Sequence, residues 1–151
     1  MKPRTKARSV ALQALYEIDL TEHPIGIVLE NRFSEIELSD TLQDFAAAIV
    51  RGIAPIRDLL DEHIAEHAPE WPIEQISIID RNLLRIALWE FAIQTETPLK
   101  VAINEAIELA KKFGSDSTPR FVNGVLGSLA AQENEIRMAL QKSIQQKNTP
   151  D

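Results

Sequence analysis

The sequence contains no cysteine, only five glycines and 5% aromatic residues. The lack of cysteine excludes a disulfide scaffold, a thiolate metal site and a cysteine nucleophile, and it suits a reducing compartment. The glycines are scattered, so no glycine-rich phosphate loop is present, and no nucleophile motif surrounds any serine. No run of about 18 apolar residues exists to span a bilayer. The basic opening, residues 1–8, leads into an amphipathic stretch and not a uniform apolar one, unlike a secretory signal. These absences predict a soluble, cytoplasmic protein without catalytic activity and without a cofactor. At 151 residues the chain has the size of one domain that buries a core unaided.

Charge is also scarce in one sign over long stretches. The formal net charge is −7, which argues against a nonspecific nucleic-acid binder. Residues 1–8 nevertheless carry Lys2, Arg4, Lys6 and Arg8 and no acid, whereas residues 17–80 hold fifteen acids against three arginines. Basic character is confined to small patches, so an anionic partner would meet a small surface.

What is abundant is Ala, Leu, Ile and Glu, which favours helix throughout, and no hairpin signal interrupts it. The pattern predicts an all-α fold of about seven helices. Apolar residues at helical spacing place the first over 5–20 and a shorter second over 25–33. Ser39 is an N-cap for a third, which ends near Gly52 because Pro55 cannot continue it, and a fourth covers 55–67. Pro69 and Pro72 bracket the best boundary, dividing the chain into two small bundles, 1–68 and 69–151. Residues 76–93 are apolar on nearly every side, as a buried spine helix would be. Pro98 opens the next helix and Gly114 caps its end. Thr118 and Pro119 read as an N-cap and first helical position. The last helix starts there and continues past Leu129 towards Gln145, with fraying from Lys147 onward.

Two places oppose a helix dipole. A helix N-terminus favours acids, yet Arg4 and Arg8 stand at the first helix's start and Arg120 at the last helix's start. Both places are suited to an anion, because free amides and arginine forks bind phosphate oxygens. Solubilising charge is the plain alternative. Phe121 could stack on an exposed base or fill the core. Gly124 and Gly127 read as helix-packing positions. His63 and His67 stand four apart at metal-ligand spacing, but zinc needs further ligands and the only other histidine is His23.

The runs VAINEAIELAKKFGSDSTPRFVNGVL (101–126), IDRNLLRIALWEF (79–91) and ALQALYE (11–17) resemble the signature of the NusB family, in order across nearly the whole chain. The resemblance implies two small helical bundles and a role in processive antitermination of ribosomal RNA transcription. It implies that boxA RNA is bound together with the ribosomal protein NusE, in a complex that joins RNA polymerase; some relatives self-associate. Carried over by motif, the RNA-contacting residues are Lys2, Arg4, Lys6, Arg8, Ser117, Arg120 and Phe121. Asp80 and Tyr16 fall on the partner surface, where a helix-start acid and a half-buried aromatic are the plain alternatives. The chain departs from the pattern twice: Ser117 replaces the second of a frequent acidic pair, and the N-terminal cations are interleaved instead of consecutive.

Three other readings compete. One is the N-terminal RNA-binding domain of ribosomal RNA cytosine methyltransferases, although no methyltransferase segment follows here. The others are a protein-only helical adaptor and a metal enzyme built on His63 and His67.

Overall fold

Eight α-helices build the computed structural model, which describes residues 1–148, and no strand occurs among the described residues. They are α1 Pro3–Leu20, α2 Ile25–Glu35, α3 Asp40–Ile53, α4 Arg57–Glu66, α5 Ile78–Trp89, α6 Leu99–Phe113, α7 Thr118–Ala130 and α8 Glu133–Asn148. The all-α expectation is met. None of these helices is long and apolar enough to cross a membrane.

Local chemistry sets most boundaries. Pro3 lies in the first turn of α1, where a missing N–H does no harm. The hydroxyls of Ser39 and Ser77 accept from the Leu42 and Asp80 amides, capping α3 and α5. Pro55 falls in a 3-10 turn, Ala54–Ile56, so the fourth helix begins at Arg57 and not at the proline. After Pro69 and Pro72 the chain makes a second 3-10 turn, Ile73–Gln75. Arg81 pins it by donating to the Ile73 and Ile76 carbonyls at 2.6 and 3.0 Å.

α5 packs on α1, α3 and α4 on one side and on α6 and α7 on the other. A single hydrophobic cluster runs through it, from Leu12, Leu15 and Ile49 to Leu84, Leu88, Leu109 and Leu126. The stretches before and after the proline pair therefore share one core. α5 is less uniformly apolar than its sequence suggests, for it also buries Asn82 and Arg85, and Glu90 is buried just beyond its end.

The spine continues past Trp89 as a π-turn, Glu90–Gln94, closed by Thr95 in the left-handed conformation at φ 63°. The last predicted helix is two: bonds from Ala131 and Gln132 back to Gly127 and Leu129 end α7, and α8 begins afresh. That break lets Ile136 and Leu140 reach the core. Lys147 and Asn148 are helical and not frayed, and the rest of the predicted fraying, 149–151, lies outside the described residues.

Three capping and glycine assignments change. Thr118 lies inside α7, and Ser117 takes the cap position without a side-chain cap bond. Gly114 does end α6, but with φ −90°. Its lack of a side chain serves close approach, since a Cβ there would collide with the Thr118 side chain. Gly124 and Gly127 are not packing positions, because they face outward and an added Cβ would meet nothing.

Arg85 joins α1 and α4 to the spine. Its guanidinium donates to both Asp61 oxygens at 2.8 and 2.6 Å and to Asp19 at 2.7 Å, while Arg57 and Asn82 also donate to Asp19. Burial alone would raise the Asp19 carboxyl, but hydrogen bonds from Arg57 and Asn82 and the charge of Arg85 together hold it below its ordinary value.

Stability from Asp19 is therefore fully present above its ordinary pKa of 3.8 and is lost as pH falls through the lowered folded value. Acid unfolding should show this loss in the natural protein and much less of it in Asp19→Asn, whose stability at neutral pH should be lower. Replacing each exposed helical glycine by alanine, Gly124→Ala and Gly127→Ala, should raise stability by up to about 1 kcal/mol in urea titrations. A fall would mean that something within the chain needs the space.

Candidate functional site

The four N-terminal cations separate in space. Arg8 is buried, 3% exposed, and its guanidinium makes three hydrogen bonds of 2.8–3.1 Å to the Glu90 carboxylate. A second carboxylate, Glu105, lies 3.6 Å away. Arg8, which the sequence reading grouped with the RNA-contacting cations, is thus buried and paired inside the protein. A cation four residues along a helix from an exposed one reads the same in sequence, and only the arrival of Glu90 from the spine decides its fate.

Lys2 and Arg4 remain exposed and Lys6 is half-buried. Arg4 lies over the ring of Phe45 on α3, 4.9 Å from its centroid, and Arg8 lies 5.1 Å from the same centroid. Such stacking fixes a guanidinium plane while leaving its N–H groups available. Thr5 ties this turn to α6 by donating to Glu105 at 2.7 Å.

Lys2 and Lys111 line one open cavity of about 640 Å³, with Asn104 and Glu108 between them on α6. Lys111 and Lys112 stand in the last turn of α6, where cations complement the dipole. From there the chain turns through Ser115 and Ser117 into α7, where Arg120 is exposed and has no ion-pair or hydrogen-bond partner among the described residues. Lys111 pairs with Glu108 in the same helix at 3.5 Å. The sequence reading gave Asn104, Glu108 and Lys111 no role.

Beside this strip runs an apolar groove. A cavity of about 590 Å³ is walled by Trp71, Ile79, Phe113 and Phe121, with Asp80 and Arg120 at its edge. A second, of about 410 Å³, shares Ile79 and Phe113 and continues to Tyr16 and Leu20. Trp71, Tyr16 and Leu20 are 50%, 40% and 53% exposed, an unusual amount of ring and branched surface on one line. Phe121 is half-buried against the core and also lines the cavity.

Asp80 is half-buried, and its Oδ1 accepts from the buried Thr118 hydroxyl at 2.8 Å. Thr118 in turn accepts from the Ser115 amide. Asp80 thereby shapes the loop that carries Ser117 and Arg120 while standing at the groove, so it links the two surfaces. Trp71, Phe113 and Ile79 went unassigned in the sequence because a groove between elements has no periodic signature. His67 holds Ser128 through its Nδ1 at 2.7 Å, and among the described residues no three metal-ligating side chains gather.

Exposed cations beside a groove of exposed apolar side chains, on an all-helical fold, are the surface features of a binding module. Residues 5–131 match the NusB family model. The chain is 47% identical to the transcription antitermination protein NusB of Dehalococcoides mccartyi over 127 residues, 84% of this chain and 89% of that one. It is 46% identical to the protein of the same name in Chloroflexus aggregans, over 85% of this chain and 87% of that one. A solved structure of Thermotoga maritima NusB superposes with a TM-score of 0.78 at 28% identity, covering 89% of this chain and 98% of that one. The fold is also that of NusB in a crystal structure with NusE and double-stranded RNA, at TM-score 0.76 and 24% identity, covering 85% and 96% of the chains. The chain belongs to the NusB family of transcription antitermination proteins.

The separation of Arg8 from Arg4 is testable in folding alone. Arg8→Met leaves Glu90 buried without its partner and should destabilise the protein by about 3 to 5 kcal/mol, whereas Arg4→Ala at the exposed stack should lose less than about 1 kcal/mol. Urea titrations showing equal losses would place Arg8 back at the surface.

Proposed function

We propose that this protein acts by binding alone, holding boxA RNA of nascent ribosomal transcripts along the cationic strip while NusE occupies the adjoining groove. The resulting assembly joins RNA polymerase and renders it processive. The observation that carries this reading is the placing of Arg120, a cation without a partner among the described residues, on a cavity lined by Trp71, Phe113 and Phe121 that shares Ile79 and Phe113 with a second cavity at Tyr16. Support comes also from the NusB, NusE and double-stranded RNA complex, whose NusB shares this fold.

Roles divide by chemistry. Lys2, Arg4, Lys6 and Arg120 hold phosphates, because each is a cation with its charged end available. Ser117 offers a hydroxyl that a carboxylate at this position would lack, so this loop repels a phosphate less. Phe121 offers its ring for stacking by an unstacked base. The fifteen acids over residues 17–80 draw a basic ribosomal protein, with Asp80 and Tyr16 at the groove.

Fluorescence anisotropy with labelled boxA RNA checks this directly. The protein and NusE together should bind more tightly than either alone, and equal affinity with and without NusE would remove the shared surface from the reading. Arg120→Ala and Lys2→Ala should each flatten the slope of log affinity against log salt by about 0.7. Phe121→Leu should weaken boxA binding with the slope unchanged. Asp80→Lys should weaken the protein pair, as read by sedimentation or calorimetry, with helical content kept.

A further inference from the structure

We infer that α8, which lies away from the cationic strip, is a positioning element for it: α8 holds the π-turn, the π-turn presents Glu90, and Glu90 fixes Arg8 and with it the basic opening of α1. The inference rests on the proposed RNA-binding role of that opening. No α8 residue lines the cavities around Lys2, Arg4 or Arg120. The family match also ends at residue 131, before α8 starts at Glu133.

The start of α1 has little of its own to hold it. Lys2 at the cap position makes no side-chain cap bond, and no acid stands in the first turn. The three unsatisfied amides of Lys2, Arg4 and Thr5 and the cations of Lys2 and Arg4 make that turn prone to fray. What restrains it is tertiary: Thr5 on Glu105, and Arg8 on Glu90.

Glu90 is in turn a product of the π-turn. The wider turn is bonded from the Thr95 amide to the Glu90 carbonyl, and it is closed by a β-branched residue at positive φ, which is strained backbone. Such a turn persists only where its surroundings hold it. Those surroundings include α8, beside α5 and α6. Arg137 donates through Nε to the Phe91 carbonyl at 2.8 Å, and Gln141 Nε2 lies 3.5 Å from the Ala92 carbonyl, each an acceptor within the π-turn. Ile136 and Leu140 anchor the same helix face in the core. The Glu90 carboxylate then meets Arg8 and the Thr97 hydroxyl, which donates at 3.0 Å.

The test compares variants of Arg137 in the full chain. Arg137→Met removes the donor at similar length, Arg137→Lys keeps a donor, and Glu133→Gln removes only the ion pair that Arg137 makes within α8 at 2.7 Å. Amide exchange is read at residues 6–9, beside affinity for boxA RNA and for NusE. Arg137→Met should speed exchange at these amides and weaken RNA binding, each about fivefold, the size of one lost hydrogen bond. Arg137→Lys should restore both, and Glu133→Gln should change neither. NusE affinity should stay constant across the set. Unchanged exchange at residues 6–9 in Arg137→Met overturns the inference, as does faster exchange with natural RNA affinity. A parallel loss of NusE and RNA binding also overturns it, since that is general destabilisation. If the natural protein fails to bind boxA RNA under any condition, the functional reading fails, and the exchange arm alone still decides whether α8 positions α1.

Discussion

α1 is fastened to the spine at two points about 16 Å apart along its axis, by Arg8 on Glu90 and by Asp19 on Arg85 and Asn82. The helices run antiparallel, and each fastening is an arginine and carboxylate taken largely out of water. Buried pairs add little over apolar packing, because desolvation opposes their attraction. Breaking one is costly, however, since the stranded charge stays buried. Sliding α1 along the spine would strand charges at both points together. An apolar seam of Leu, Ile and Ala could accept neighbouring registers; these two pairs accept one.

That single register has a functional consequence. Arg4 and Arg8, one turn apart on the same face of α1, share the Phe45 ring, with Arg8 buried against the spine and Arg4 exposed nearer the helix end beside Lys2. The cationic strip is therefore not a loose arm carrying four equivalent charges. It is a short rigid edge in which one arginine anchors and its neighbours present. Preorganised cations lose less side-chain freedom on meeting a phosphate than mobile ones do, which matters for a chain whose cations at this edge are few.

The other edge of the strip depends on a second polar relay, from Asp80 on the spine to Thr118 and on to the Ser115 amide. It needs Gly114, because any side chain there would collide with Thr118. The loop bearing Ser117 and Arg120 thus takes its shape from the same helix that walls the groove. An occupant of the groove at Asp80 would press on the residue that holds this loop, so two surfaces with different chemistry share one mechanical support.

The amino-acid sequence by itself determined the helices, their order and the apolar spine, because period, proline and serine caps act within a few residues of each other. It also determined where cations oppose a helix dipole, and its motifs pointed to the family. It could not show that Arg8 and Arg4 part company, since that depends on Glu90 arriving from 82 residues away. Nor could it distinguish Gly114, which admits a neighbour, from Gly124 and Gly127, which meet none. The π-turn, the break before α8 and the groove between Trp71 and Tyr16 were likewise settled only in the tertiary structure. Each is a relation between distant elements, and burial, pairing and close approach exist only once those elements have packed.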